Sequence, residues 1–145
     1  MKLTVIGLGL IGGSMAKDLR KSGFATEITG VDTNPDHARE ALRLGITDRI
    51  ETLESSIPKA DMVIIAIPVD KVLPTLISVL DRISSQTTVI DVGSTKKVIS
   101  EAVENHPKRR NYIPAHPMAG TENSGTGAAL EGLFVGKINI ICDQE

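Results

Sequence analysis

The sequence has little cysteine and few aromatic residues: among 145 residues there are one cysteine, one tyrosine, two phenylalanines and no tryptophan. The single cysteine, Cys142, excludes an internal disulfide, and its apolar neighbours are typical of a buried thiol in a reducing compartment, so we expect a cytoplasmic protein. The aromatic residues Phe24, Tyr112 and Phe134 provide no stacking platform for single-stranded nucleic acid. A net charge of −2 likewise favours neither nucleic acid nor a membrane surface as a partner.

The sequence also lacks an apolar run of the about 20 residues that are needed to span a membrane. Its first residues, from Lys2 to Ala16, loosely imitate a secretory signal, but four glycines interrupt the apolar stretch and charged residues follow it at once. We therefore expect no signal peptide. With 41% hydrophobic residues and this length, the chain has the composition of one soluble globular domain.

The first 22 residues predict a strand, a glycine-rich turn and a helix. The apolar stretch Leu3-Thr4-Val5-Ile6 leads into a turn of the form G-x-G-x-x-G, and helical spacing follows it. The first N–H groups of such a helix have no partner inside the helix, and with the positive end of the helix dipole they favour a pyrophosphate. The three glycines allow the tight turn, the approach of phosphates and close helix packing, in that order. We expect the cofactor to bind at Gly7, Leu8, Gly9, Leu10, Ile11 and Gly12.

A second predicted strand, 27–32, ends in the carboxylate of Asp32, about 20 residues after Gly12. A carboxylate in this position accepts hydrogen bonds from both ribose hydroxyls of an adenosine and repels a 2′-phosphate. The next residues, 33–35, include no cation that would hold a 2′-phosphate, so the sequence favours NAD over NADP. Alternatively, Asp32 caps the helix that begins near Pro35, and the two roles are compatible.

Strand and helix patterns alternate along the rest of the chain. The apolar stripe from Val69 to Ile83 predicts a helix, into which Pro74 fits only if the helix begins near Lys71 or is kinked early. The alternation predicts a doubly wound, mainly parallel α/β sheet of the Rossmann type, with its ligand crevice at the carboxyl ends of the strands. The predicted strands span 2–6, 27–32, 49–52, 62–67, 88–92, 112–113 and 137–142, and the other predicted helices span 11–22, 35–44 and 97–105.

The predicted topology places the chemistry in the loops that follow the strands. In the loop 67–70, Ile67 and Pro68 either line the ribose side of the cofactor or only end the strand. In the loop 114–122, His116 lies between prolines, and an imidazole can take a proton from a hydroxyl while hydride leaves its carbon. In the loop 91–96, Ser94 either hydrogen-bonds the reacting hydroxyl or caps the next helix. A loop histidine is often only structural or solvated, and we assign no metal ligands.

Three blocks of the sequence resemble a known family: Gly7 to Ser14, Asp91 to Lys96 and, above all, His116-Pro117-Met118-Ala119-Gly120-Thr121-Glu122-Asn123-Ser124-Gly125. Together they resemble the nucleotide-binding half of prephenate and arogenate dehydrogenases, over essentially the whole chain. The resemblance implies oxidative decarboxylation of prephenate by NAD⁺ to 4-hydroxyphenylpyruvate, carbon dioxide and NADH, in tyrosine biosynthesis. It also implies that His116 accepts a hydrogen bond from the ring hydroxyl, that Ser94 lies near that hydroxyl and the nicotinamide, and that Glu122 lies at the mouth of the substrate pocket.

The chain departs from that family in its length. Family members look about twice as long, with a following helical domain that supplies dimer contacts and the cationic group for the substrate's carboxylates. We therefore assign residues 1–145 to the dinucleotide-binding domain and expect the full-length form to be a homodimer. The isolated chain is expected to bind NAD and to be a poor or inactive enzyme. The alternatives are an arogenate dehydrogenase, another hydroxyacid- or imine-reducing enzyme, and a non-catalytic NAD-sensing module.

Overall fold

Short apolar strands of this chain pair into one sheet, with helices in the connections between them. The computed structural model describes residues 1–142, in which seven strands follow the order β3-β2-β1-β4-β5-β6-β7. The strands are β1 (Lys2–Ile6), β2 (Glu27–Val31), β3 (Arg49–Ile50), β4 (Met62–Ile65), β5 (Thr88–Asp91), β6 (Tyr112–Pro117) and β7 (Asn139–Ile141). The helices are α1 (Leu10–Lys21), α2 (Pro35–Arg43), α3 (Leu53–Ser56), α4 (Val69–Arg82) and α5 (Lys97–Val103).

The sheet is parallel except at one edge, and this confirms the predicted doubly wound architecture. Strand β1 pairs in parallel with both β2 and β4, so the direction of winding reverses between β1 and β4. Only β7 is antiparallel, paired with β6. In such sheets the ligand crevice lies outside the carboxyl ends of the strands at the point of reversal. The glycine turn follows β1 at that point.

The core has two layers, one on each face of the sheet. Successive side chains of β4 alternate between them, because strand side chains point to opposite faces. Val63 and Ile65 pack in the layer that includes Leu76 of α4, whereas Ile64 packs in the layer that includes Ala16 of α1. Both layers are buried, so the continuous apolar run of β4 is that of a central strand covered on both sides.

Helix α4 starts at Val69, the first residue of the predicted apolar stripe, and contains Pro74. Of the two ways in which the proline can fit, the late start near Lys71 is therefore wrong. The Lys71 N–H donates to the Pro68 carbonyl at 2.9 Å, so the first turn is closed by a bond to the third preceding residue. The N–H that Pro74 lacks would have served the Asp70 carbonyl, which belongs to that first turn. The helix therefore tolerates the proline close to its beginning.

Strand β6 is longer than predicted, and His116 lies on it rather than in a loop. The cause is the antiparallel pairing with β7, in which Cys142 donates to the Pro114 carbonyl at 2.9 Å and Met118 to the Ile138 carbonyl at 2.8 Å. In this pairing the backbone hydrogen-bonding groups of residues 114, 116 and 118 face β7. The backbone nitrogen of Pro117 therefore faces the opposite side, toward β5. Strand β5 ends at Asp91, opposite Pro114, and Pro117 therefore removes no ladder bond.

Other boundaries differ from the predicted ones by at most two residues, and the sequence did not indicate α3 or the short 3₁₀ turn at Ile57–Lys59. A further feature without a predicted counterpart is the covering segment, residues 118–136, which passes from β6 to α1 and α2 and returns to β7. Its contacts include the hydrogen bond from the Leu130 N–H to the buried Ser14 hydroxyl, at 2.8 Å, and the bond from Lys17 Nζ to the Ala129 carbonyl, at 2.7 Å. Among residues 1–142, no helix has the length and apolar character to cross a membrane.

Candidate functional site

The glycine turn between β1 and α1 is shaped by steric contacts that only glycine avoids. Gly7 has a φ of +90°, and a Cβ atom there would lie 2.3 Å from the Ala66 carbonyl oxygen. A Cβ at Gly12 would lie 2.0 Å from the Gly7 carbonyl oxygen, so α1 packs closely on the turn. At Gly9, by contrast, a Cβ would meet no atom within 4 Å. The turn is therefore tight on its inner side and open above Gly9.

The N-terminus of α1 presents N–H groups toward this opening. The first bond of the helix runs from the Gly13 N–H to the Gly9 carbonyl at 2.9 Å, which leaves Leu10, Ile11 and Gly12 without a helical acceptor. Gly9, the N-cap residue, has no side chain to cap them, and the first turn contains no acidic residue. Free N–H groups at the positive end of a helix bind anions such as a pyrophosphate.

The structure brings Asp32 to the glycine turn. Its Oδ2 accepts a hydrogen bond from the Leu8 N–H at 2.8 Å and its Oδ1 accepts one from the Asn34 N–H at 2.8 Å. The side chain is 10% exposed, and the Nδ1 atom of His37 lies 3.6 Å from Oδ2. Asp32 is not the cap of α2, because that role belongs to Asn34, which accepts from the Asp36 N–H at 2.9 Å. A negative charge is thus fixed where β2 ends, beside the turn.

Ile67 and Pro68 follow the end of β4 at the other side of the turn. Strand β4 ends at Ile65, so both residues lie in the loop before α4, with Pro68 as the exposed N-cap residue of that helix. Ile67 is half-buried, and its Cγ2 atom would lie 2.8 Å from a Cβ at Gly7. The loop therefore packs against the glycine turn at Gly7.

The loop after β5 is held by a buried cluster of charged and polar side chains. The fully buried Asp91 carboxylate accepts hydrogen bonds from the Tyr112 hydroxyl, at 2.5 Å, from the Gly93 N–H, at 3.0 Å, and from Lys96 Nζ. Lys96 Nζ also donates to the Asp91 carbonyl at 3.1 Å. Burial lowers the pKa of Lys96 against the opposing effect of Asp91, whereas burial and Asp91 together raise the pKa of Tyr112. The cluster fixes both ends of the loop that carries Ser94.

The sequence does not predict this cluster, because it indicates Asp91 and Lys96 only as the two ends of the loop 91–96. A signal was available, because Asp91 ends an apolar strand, and a carboxylate in such a place requires a hydrogen-bonding or cationic partner.

Ser94 and His116 lie at the same edge of the sheet. Asp91 is in register with Pro114, so His116 extends two residues past the end of β5, at the level of the loop that contains Ser94. Ser94 is exposed and does not cap α5, whose N-cap residue is Lys96. His116 is half-buried, and its Nδ1 atom is buried without a hydrogen-bond partner among residues 1–142. This edge therefore combines an exposed hydroxyl with an unsatisfied imidazole nitrogen.

Glu122 is exposed on the covering segment. Within residues 1–142, no hydrogen bond or ion pair joins it to Ser94 or His116. The same residues include no group of three His, Cys, Asp or Glu side chains that could hold a metal ion.

Comparisons with known proteins agree on one family. The model of the prephenate dehydrogenase nucleotide-binding domain matches residues 15–145. The prephenate dehydrogenase of Bacillus subtilis is 42% identical over 139 residues, which are 92% of this chain and 38% of that protein. The structure of A. aeolicus prephenate dehydrogenase in complex with hydroxyphenyl propionate and NAD⁺ is 34% identical with a TM-score of 0.90, over 100% of this chain and 51% of that one.

A second solved structure, Synechocystis arogenate dehydrogenase, is 33% identical with a TM-score of 0.86, over 97% of this chain and 49% of that one. The chain therefore spans about half the length of these two structures, and less than half of the Bacillus protein.

Proposed function

Because this chain belongs to the prephenate dehydrogenase family, as its nucleotide-binding domain, we propose that it provides the NAD site of an enzyme that oxidatively decarboxylates prephenate to 4-hydroxyphenylpyruvate in tyrosine biosynthesis. The observation that carries the proposal is the joint geometry of the glycine turn and Asp32. The opening above Gly9 and the free N–H groups of α1 suit a pyrophosphate, and the Asp32 carboxylate suits unmodified ribose hydroxyls.

The residues present fit this cofactor and a hydroxyl-bearing substrate. Buried polar atoms are nearly always hydrogen-bonded, so the unpaired Nδ1 atom of His116 and the free N–H groups of α1 mark places where a bound group supplies the missing partner. Bound NAD⁺ supplies the hydride acceptor. Ser94, on the neighbouring loop, supplies an exposed hydroxyl close to the same edge.

In the proposed reaction His116 accepts the proton of the ring hydroxyl while hydride leaves the carbon that bears it. The carboxylate on the opposite ring carbon is lost as carbon dioxide, and the electron pair of the broken bond enters the ring, which becomes aromatic as the ring oxygen takes back the proton from His116. Ser94 orients the hydroxyl, and the braced loop 91–96 keeps that serine in place. Glu122 lies at the mouth of the pocket on the covering segment.

We also propose that the substrate's carboxylates are held by a second, helical domain, through which the full-length protein forms a homodimer. Lys96, the cation closest in sequence to Ser94, is engaged by Asp91 and is not free for that role. Around β7, the apolar side chains of Val135, Ile138 and Ile141 are 78%, 71% and 47% exposed, as expected of a surface that packs against further protein. We place the enzyme in the cytoplasm, where Cys142 stays reduced.

Arogenate is the second candidate substrate, because the arogenate dehydrogenase of Synechocystis matches this chain about as well as the prephenate enzyme of A. aeolicus. The test is NADH formation with each substrate, in the chain extended by the domain that follows in its relatives. We expect turnover with prephenate; faster turnover with arogenate would exchange the two candidates. NADH formation with neither substrate would contradict the proposal, and turnover at ordinary enzymatic rates by the 145 residues alone would contradict the need for a second domain.

A further inference from the structure

Two side chains hold the backbone of Leu8, a residue of the glycine turn. Its N–H donates to Asp32, and its carbonyl accepts a hydrogen bond from the Thr126 hydroxyl at 2.7 Å, across a separation of 118 residues. Thr126 is only 1% exposed and lies in the covering segment, immediately after the block that contains Glu122. The sequence indicated the Asp32 side of this arrangement but not the Thr126 side.

We propose that Thr126 is a positioning residue of the nucleotide site, which sets the orientation of the Leu8 peptide group and thereby the shape of the glycine turn. The inference rests on the proposed NAD site. Thr126 is buried and its hydroxyl donates to the Leu8 carbonyl, so it acts through the backbone of the turn.

The covering segment is a firm support for this bond. Close to Thr126, Leu130 and Ala129 are bonded to Ser14 and Lys17 of α1, and the Gly132 N–H donates to Asp18 at 2.5 Å. Ala129 also packs on Gly13, where a Cβ would approach to 2.8 Å. The segment is therefore anchored along the helix whose N-terminus binds the phosphates.

The same bond connects the cofactor turn to the mouth of the proposed substrate pocket. Residues 119–125, which include Glu122, lie between two anchored residues: Met118, whose N–H donates to the Ile138 carbonyl at 2.8 Å, and Thr126, whose hydroxyl donates to the Leu8 carbonyl. One end of this loop is thus in direct contact with the glycine turn.

Replacing Thr126 by valine preserves its shape and removes the hydroxyl. The buried Leu8 carbonyl then lacks its partner and regains one only if the turn opens to water. Only molecules with the closed turn, in which Leu8 keeps its native position, bind NAD⁺. The apparent affinity of the variant therefore equals the wild-type affinity multiplied by the fraction of molecules that are closed. We expect the Kd for NAD⁺ to rise about tenfold in Thr126→Val and to change less than about threefold in Thr126→Ser.

Thr87 provides a matched control. It is also 1% exposed, and its hydroxyl also donates to a backbone carbonyl, that of Ala60, at 2.8 Å. It lies at the amino ends of the strands, just before β5, on the side opposite the glycine turn. Thr87→Val therefore removes an equivalent bond far from the site, and we expect it to lower stability without changing the Kd for NAD⁺.

The experiment is a calorimetric titration of NAD⁺ into the wild-type chain and these three variants, below the unfolding temperature of each. Wild-type affinity in Thr126→Val, or an equal loss in Thr126→Val and Thr87→Val, would overturn the inference while leaving the NAD site intact. Failure of the wild type to bind NAD⁺ would instead overturn the proposed function and the inference together. If Thr126→Val does not fold, Thr126→Ala and Thr126→Ser give the same comparison, since they differ only in the hydroxyl.

Discussion

Asp32 combines two tasks in one side chain. Its two oxygens accept hydrogen bonds from the turn residue Leu8 and from Asn34, and its charge lies where an adenosine ribose is expected. Substitutions separate these tasks, because asparagine keeps an oxygen acceptor and loses the charge, whereas alanine loses both.

We predict that Asp32→Asn has a Kd for NAD⁺ within about tenfold of the wild-type value. Its preference for NAD⁺ over NADP⁺ should be smaller, because the charge that repels a 2′-phosphate is gone. Asp32→Ala is expected to bind NAD⁺ more weakly than Asp32→Asn, because the Leu8 N–H also loses its acceptor. Titration of both dinucleotides into both variants measures this. An unchanged preference for NAD⁺ in Asp32→Asn would show that the charge does not select the cofactor.

His116 is expected to act in chemistry rather than in cofactor binding. In the protein that carries its second domain, we predict that His116→Asn lowers kcat about 10²- to 10⁴-fold and leaves the Kd for NAD⁺ unchanged. His106 is the control, because its side chain lies against Asp81, near the end of α4 and far from the crevice. Steady-state rates and NAD⁺ titration of His116→Asn and His106→Asn distinguish the roles. A His116→Asn variant as active as the wild type would exclude His116 as the proton acceptor.

At the residue scale, the sequence predicts what depends on near neighbours. The glycine turn and its following helix are consecutive in the chain, and Asp32 follows at a spacing that the fold requires. The partner of Leu8 on the covering segment is 118 residues away, and no local pattern indicates it. The roles of Ser94, His116 and Glu122 remain predictions, because they require contacts with bound molecules.

Among the elements, the loop from β5 to α5 depends most on buried electrostatics. The ion pair of Lys96 and Asp91 is almost completely buried, with side chains 9% and 0% exposed. Removing the lysine leaves the carboxylate buried without its cation, which is among the most destabilising of single changes.

We predict that Lys96→Met lowers the free energy of unfolding by about 3 kcal/mol or more. The adjacent Lys97 serves as control, because its side chain is 86% exposed and Lys97→Met is expected to change stability by less than about 0.5 kcal/mol. Urea unfolding of both variants gives the two values. Equal free energies of unfolding for Lys96→Met and Lys97→Met would mean that the buried cluster does not stabilise the loop.

Tyr112 gives the same cluster a pH dependence. Burial and the Asp91 carboxylate raise its pKa, so the folded protein keeps the phenol protonated above about pH 10, where the unfolded chain ionises. Its contribution to stability is therefore complete below about pH 10 and is lost as the pH rises toward the folded-state pKa.

Tyr112 is the only tyrosine in the chain, and there is no tryptophan, so tyrosinate absorbance reports on it alone. We predict that the folded chain shows no tyrosinate near pH 10, whereas the chain in urea titrates there. The stability advantage of the wild type over Tyr112→Phe should shrink as the pH rises further. Titration of the folded protein at the ordinary pKa would place the phenol in contact with water and contradict the buried bond to Asp91.

At the element scale, prediction succeeded where the hydrophobic period is regular and failed where pairing is long-range. Strands β1 and β4 are readable as apolar runs between turns, and β2 as the strand that follows the first helix and leads to the carboxylate of Asp32. The full length of β6 is not, because its last residues contain two prolines and become a strand only by pairing with β7. The start of α4 at Val69 is difficult to predict because Pro74 follows five residues later, and a proline there is tolerated only because it lies close to the first turn.

At the scale of the whole molecule, residues 1–142 form one seven-stranded sheet with exposed apolar side chains at one edge. Its winding reversal, glycine turn and Asp32 lie together at one end of the sheet, whereas β7 and its neighbours leave apolar side chains exposed. This division favours the proposal that the cofactor site lies within residues 1–142 and that further protein completes the substrate site. Binding of NAD⁺ and turnover are therefore expected to separate in the isolated chain.

The most direct test of this account is a calorimetric titration of the wild-type chain with NAD⁺ and with NADP⁺. We predict one site per chain for NAD⁺ and an affinity for NADP⁺ about tenfold lower or weaker still, equivalent to about 1.4 kcal/mol. Absence of binding by either dinucleotide, in a chain shown to be folded, would contradict the central claim that residues 1–142 form a working NAD site. Equal binding of both would retain the site and contradict the selection by Asp32.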